Sequence, residues 1–206
     1  MRCNDEKLSL VLGWIGSPPV IFQQLKTDLT DVVVERLSNY IERRCKKQVK
    51  VVRDLTEASS APGIIALGKL DACETLGVSP PVESLAADGY YLKVYRRKGQ
   101  TIAAVLASRD KGIKQGAYHL LRAFNLKGET LKLPALDTIQ EPWVPQREWT
   151  LVCWRPFFNF TDKRVDVYSY DDERLRTYVD MLDTFGFNGV QLLETCYSYD
   201  AVGGVK

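Results

Sequence analysis

The hydrophobic positions of this chain fall into short runs and one long helical stripe, separated by glycine and proline breaks. Leu8 to Trp14 is a short apolar run suited to a strand, and Gly16-Ser17-Pro18-Pro19 interrupts it. From about Val20 to Arg44, Phe22, Leu25, Leu29, Val33, Leu37, Tyr40 and Ile41 recur at helical spacing. Asp28, Thr30 and Asp31 can cap a helix that starts later within that stretch. Val49-Lys50-Val51-Val52 resumes as a strand, Ser59 to Gly63 reads as a loop, and Gly63 to Gly68 reads as the next strand.

That last run, GIIALGKL, spells G-x-x-x-x-G-K and raises the question of a phosphate-binding loop. Such a loop needs a Ser or Thr hydroxyl after the lysine to ligate magnesium, and Leu70 stands there. The spacer Ile64-Ile65-Ala66-Leu67 is apolar and β-branched at its start, as a buried strand requires. Between Lys69 and the Pro80-Pro81 break there is room for only a short helix.

A hairpin follows. Tyr90, Leu92, Val94 and Arg96 alternate with Tyr91, Lys93 and Tyr95, Lys98-Gly99-Gln100 is the expected turn, and Thr101 to Ala107 returns. Asp110 can cap a helix to about Phe124 whose apolar face is Ile113, Ala117, Leu120, Leu121 and Phe124. Residues 126–148 hold Pro134, Pro142 and Pro145, and read as a connection with one short strand near Leu131 to Leu133. Beyond it the rhythm changes. Glu148 to Trp154 is strand-like, and Asp171-Asp172-Glu173 opens a helix with Leu175, Tyr178, Val179, Leu182 and Phe185 on its inner side. Gly186-Phe187-Asn188-Gly189 ends that helix, and Val190 to Leu193 is a second strand. This is one β-α-β unit, whose strands pair in parallel. A parallel pair with one helix cannot cover its own faces, so the unit reads as the opening of an eight-stranded barrel.

Composition narrows the function classes only a little. The formal net charge of +2 over 206 residues gives no ground for a nucleic-acid or membrane partner. Arg43-Arg44-Cys45-Lys46-Lys47 is the one cationic cluster, and it either complements a helix C-terminus or forms a phosphate patch. The five cysteines are dispersed and form no C-x-x-C, so reduced thiols are the simplest reading. The N-terminal residues do not form a secretory signal and no apolar run is long enough to span a bilayer, which makes the cytoplasm the default expectation. A secreted parent lacking its start would look the same. His119, the single histidine, has no second histidine or cysteine at ligand spacing, so a structural or surface role is expected and no metal or cofactor is implied.

Two stretches together resemble known enzymes. Asp88 to Phe124, DGYYLKVYRRKGQTIAAVLASRDKGIKQGAYHLLRAF, resembles the small α/β domain that precedes the catalytic barrel in β-N-acetylhexosaminidases and α-glucuronidases. In that domain a "gly-tyr-x-leu-x-val" strand, a turn and an "ile-x-ala-ala" strand lead into a helix, and GIIALGKL matches the strand before them. The second stretch, Arg147-Glu-Trp-Thr-Leu-Val-Cys-Trp through FGFNGVQLLE, is similar to the first strand, first helix and second strand of the same enzymes' barrel. The resemblance implies an α/β protein: a small α+β sandwich domain of order β-α-β-β-β-β-α over residues 1–126, a linker over 127–146, and an incomplete (β/α)₈ barrel over 147–206. It implies a portion of a carbohydrate-active glycoside hydrolase acting on an oligosaccharide or glycoconjugate. The alternative is a non-catalytic carbohydrate- or protein-binding module.

The resemblance also implies where chemistry would lie. Glycoside hydrolysis needs two groups flanking the scissile bond, usually carboxylates. In the resembled families these lie on later barrel strands, so no catalytic residue is assigned in this chain and it is expected to be inactive alone. Where the hexosaminidase pattern has a histidine-rich segment, this chain reads Glu194-Thr195-Cys196-Tyr197. Arg147 matches the family arginine that holds sugar hydroxyls, and its planar fork suits paired hydrogen bonds; a strand-edge ion pair is the other reading. Glu194 falls at the C-terminal end of the second barrel strand, where barrels present ligand contacts, or is an exposed loop acid. Asp162 and Asp166 line either a sugar site or a solvated loop, Asp171-Asp172-Glu173 reads as helix capping, and Trp154 stacks on a sugar or fills a core. Arg147 and Glu194 are the two residues assigned to substrate.

Overall fold

The computed structural model describes residues 9–10, 18–79, 82–127, 130–144, 146–153 and 172–194. It divides into two compact units, Met1–Trp143 and Val144–Lys206. The first contains β1 (Ser9–Leu10), β2 (Val20–Gln23), α1 (Asp28–Cys45), β3 (Val51–Val52), β4 (Gly63–Lys69), α2 (Cys73–Leu76), β5 (Tyr90–Arg97) and β6 (Gln100–Ala107). It continues with α3 (Asp110–Ala123), β7 (Asn125–Lys127), β8 (Thr130–Pro134) and β9 (Leu136–Gln140).

Six of these strands form a mixed sheet in the order β3-β2-β4-β6-β5-β9. Strands β3, β2, β4 and β6 run parallel, whereas β5 is antiparallel to both β6 and β9. Strict alternation sends successive side chains to opposite faces. Ile21, Ile65, Leu92 and Val105 pack with Leu37 and Ile41 of α1 and with Ile113 and Leu120 of α3. Phe22, Ile64, Tyr91, Ala104 and Leu106 pack on the other face with Ala58, Cys73, Leu76 and Leu85. Both faces are therefore covered, which is why β4 and β6 read as continuous apolar runs rather than alternating ones.

Several boundaries differ from the sequence expectation. The helical stripe begins at Asp28, not near Val20, because Val20 to Gln23 is an entirely buried strand between β3 and β4. Thr27 is the cap: its hydroxyl accepts the Thr30 N–H while the Thr30 hydroxyl accepts the Thr27 N–H. In α3 the cap is Arg109 without a side-chain bond, and Asp110 is the first helical residue, accepting the Lys111 N–H. The hairpin turn is two residues, since Gln100 already pairs with Arg97. Lys98 and Gly99 both have positive φ, 48° and 81°, as the right-handed twist of a two-residue hairpin demands.

The largest difference lies in the expected linker. Residues 125–140 carry three strands. β8 pairs with β7 and with the N-terminal β1, and its Leu133 is fully buried in the core cluster shared with α1 and α3. β9 adds an edge to the main sheet. Pro134 closes β8, and the three strands are three to five residues long.

The second unit contains β10 (Glu148–Cys153), α4 (Asp172–Thr184) and β11 (Gly189–Glu194). β10 and β11 pair in parallel, from Glu148 with Gly189 to Cys153 with Glu194, as the β-α-β reading expects. Gly186, with φ 92°, sits in the left-handed region just past α4. Of the expected inner face, Leu182 is buried, but Val179 and Phe185 remain exposed, as does Met181.

Candidate functional site

The two residues assigned to substrate stand at opposite ends of one parallel pair. Arg147 immediately precedes β10, whereas Glu194 closes β11 beside Cys153. At about 3.3 Å per strand residue the two ends lie roughly 20 Å apart, so the structure does not bring them into one site. The Glu194 side chain, and Asp162, Asp166, Asp171 and Trp154, lie outside the described residues.

The Arg147 guanidinium is engaged by main-chain oxygens. Its Nε donates to the Gly186 carbonyl at 2.7 Å and its Nη1 to the Val144 carbonyl at 2.8 Å. Its own N–H donates to Asn188 Oδ1 at 2.8 Å, and the Asn188 N–H donates back to the Arg147 carbonyl at 2.9 Å. Trp149, two residues on, is part-exposed and meets the Phe187 ring edge-on at 5.5 Å.

In the first unit, the place to look for a ligand is outside the carboxyl ends of the parallel strands where strand order reverses. The chain passes from β2 to β3 on one side and places β4 on the other, so that point lies between β2 and β4. It is also where the G-x-x-x-x-G-K run ends. The Lys69 N–H, which would face a phosphate, donates instead to Gln24 Oε1 at 2.7 Å, and Gln24 Nε2 donates to Asp71 at 2.8 Å. The buried Gln23 amide donates to Thr30 and Asp31 at the start of α1. The chain's own side chains thus satisfy these groups, and GIIALGK is sheet core, burying every residue from Gly63 to Gly68.

Two polar clusters that sequence reasoning missed hold β9 to β5, one on each face. On the α3 side the Tyr90 hydroxyl donates to Gln140 Oε1 at 2.5 Å and lies 2.9 Å from His119 Nδ1. Burial pushes the Tyr90 phenol up to about 12, and burial, followed by the nearby Arg122, holds His119 below the ordinary imidazole value. On the other face the Tyr91 hydroxyl donates to Asp137 Oδ1 at 2.9 Å, and Lys93 Nζ lies 2.8 Å from Asp137 Oδ2. The Lys93 hydrogen bond holds the Asp137 carboxyl below the usual range, and the same bond raises Lys93. The partners are 29 to 50 residues apart, a separation that leaves no local pattern to read. Among the described residues no group of three or more His, Cys, Asp or Glu side chains could hold a metal ion, and no helix is long and apolar enough to cross a membrane.

The first unit coincides with a family comparison that matches residues 16–120 to the glycosyl hydrolase family 67 N-terminus, and the chain belongs to that family. No curated protein matches the chain. Among solved structures it is similar to the exo-β-N-acetylglucosaminidase of Vibrio harveyi, at 15% identity over 84% of this chain and 21% of that one, with a TM-score of 0.55. It is similar to the chitobiase of Flavobacterium johnsoniae at 17% identity, over 92% of this chain and 25% of that one, with a TM-score of 0.54. The β-N-acetylhexosaminidase of Bacteroides fragilis matches at 15% identity, over 84% and 28%, with a TM-score of 0.53. At these identities the likeness is one of fold. The chain spans between 21% and 28% of the length of these three structures.

Proposed function

We propose that the chain is the N-terminal portion of a carbohydrate-active glycoside hydrolase, with β10-α4-β11 as one β-α-β unit of a (β/α)₈ barrel. In this reading the catalytic carboxylates belong to other strands of that barrel, and the chain by itself does not hydrolyse glycosides. The observation that carries it is the family 67 N-terminal match over residues 16–120, with a parallel two-stranded unit later in the chain from Glu148. The similarity to hexosaminidase structures covers 84–92% of the chain, so it extends past Trp143 into the second unit.

Two further features support it. On and just after α4, Val179, Met181 and Phe185 are exposed. In a barrel, neighbouring strands and helices take up such flanks. Glu194 closes a strand at the carboxyl end, the end at which barrels build their sites, so it remains the substrate contact of choice for an oligosaccharide or glycoconjugate.

Purified chain incubated with chromogenic N-acetylhexosaminides and glucuronides tests the catalytic part; no turnover above buffer is expected, and clear turnover overturns it. Coding sequence that continues past the Lys206 codon into further β-α units with a paired acid would support the barrel. A stop codon there, with a chain that folds and captures oligosaccharide, would favour a non-catalytic binding module.

A further inference from the structure

We infer that Arg147 and Asn188 form a register lock for the parallel pair, and that Arg147 is a positioning residue rather than a sugar contact. This rests on the barrel reading only in so far as the far end of the pair, at Glu194, is a ligand edge.

The argument begins with what a two-stranded parallel sheet lacks. Register is specified where neighbours bury one face, and a slip of one residue sends each side chain to the other face. β10 and β11 have no other strand partner among the described residues. Bonds at the end of the pair can therefore contribute to their alignment. At the end where pairing starts, four hydrogen bonds converge on residues 147 and 188, just before the first pair, Glu148 with Gly189. Asn188 and the Arg147 main chain exchange bonds in both directions, at 2.8 and 2.9 Å. The Arg147 side chain then ties the entering chain at Val144 to the turn at Gly186. A planar fork reaches two carbonyls in fixed directions, which an ammonium on a flexible stem does not reproduce.

The first pair adds a steric element. A Cβ at position 189 would stand 2.7 Å from Glu148 Cγ, so the Glu148 chain lies against the bare Gly189 backbone. Gln146 Nε2 steadies that carboxylate by donating to Glu148 Oε1 at 2.6 Å. Five pairs later, this alignment is what places Glu194 beside Cys153. A shift of one residue would take Glu194 out of its pairing with Cys153.

Amide hydrogen exchange on the full chain tests the lock without any sugar. Arg147→Ala and Asn188→Ala should each lower protection of the β10 and β11 amides about tenfold or more, the size expected from one or two lost hydrogen bonds. Asn188→Asp, which keeps the side-chain acceptor, should restore most of it, whereas Arg147→Lys should not. Gly189→Ala should disturb the same amides. Unchanged protection of β4 and β6 shows that the chain has folded. Protection of β10 and β11 that is indifferent to Arg147→Ala and Asn188→Ala overturns the lock. Should oligosaccharide fail to bind while the exchange effects appear, the functional reading falls and the lock stands.

Discussion

The two units use the same strands and helices but differ in how they are closed. In the first, both faces of a six-stranded sheet are covered, and Ile21, Ile65, Leu67 and Leu92 are essentially inaccessible. Among the described residues of the second, two strands and one helix leave Val179, Met181, Phe185 and part of Trp149 in solvent, with Leu182 buried. Apolar content does not separate them. What separates them is the number of elements against which each apolar face can pack, since burial and not composition supplies stability.

That contrast can be broken most forcefully at the centre of the first sheet. Ile65→Ala removes a fully buried side chain packed between α1 and β4's neighbours. It should cost about 2–5 kcal/mol in urea unfolding followed by circular dichroism. A cost below 1 kcal/mol would mean that the first unit is no better packed than the second. Tyr90→Phe comes next. It deprives Gln140 and His119 of a part-buried hydroxyl, and should cost about 1–2 kcal/mol with β9 amides losing protection first.

Asp137→Asn should act in a pH-dependent way. The folded state holds this carboxyl below its ordinary value, so its contribution is present above the unfolded pKa and is lost as pH falls through the folded one. Wild type and variant should therefore differ near neutrality and converge in acid. Because the Asp137 side chain is 59% exposed, the gap should be no more than about 1 kcal/mol. His119 shifts in the same sense: burial lowers its pKa, so it too favours the folded state above the ordinary imidazole range and opposes it below. His119→Gln should flatten that part of the stability profile. The smallest effect belongs to the second unit. Val179→Ser, on the exposed flank of α4, should change stability of this chain by less than about 0.5 kcal/mol. The same substitution in a longer protein that covers α4 should cost measurably more, and equal costs would argue against such a cover.

The sequence made the middle of the first sheet legible because β4, β5 and β6 carry long apolar or alternating runs and a Lys-Gly turn. β2 was hidden because its four apolar-rich residues continue smoothly into the stripe of α1, and spacing alone cannot tell where one ends. β9 was hidden for the opposite reason. Leu-Asp-Thr-Ile-Gln is short and half polar, and what makes it a strand is its pairing with β5 and the tyrosines at 90 and 91. Of the candidate site, the position of Glu194 at a strand end followed from the β-α-β pattern. The bonds of Arg147 did not, because its partners at 186 and 188 are about forty residues away and two of the acceptors are carbonyls, which every residue carries.

The place of β9 at the sheet edge also governs when the first unit can finish folding during synthesis. Chains fold as they emerge, N-terminal parts first. Yet β5 must wait for residues 136–140 before its outer edge is sealed, and β1 must wait for β8. The ribosome has therefore begun the second unit, or nearly so, before the first is complete.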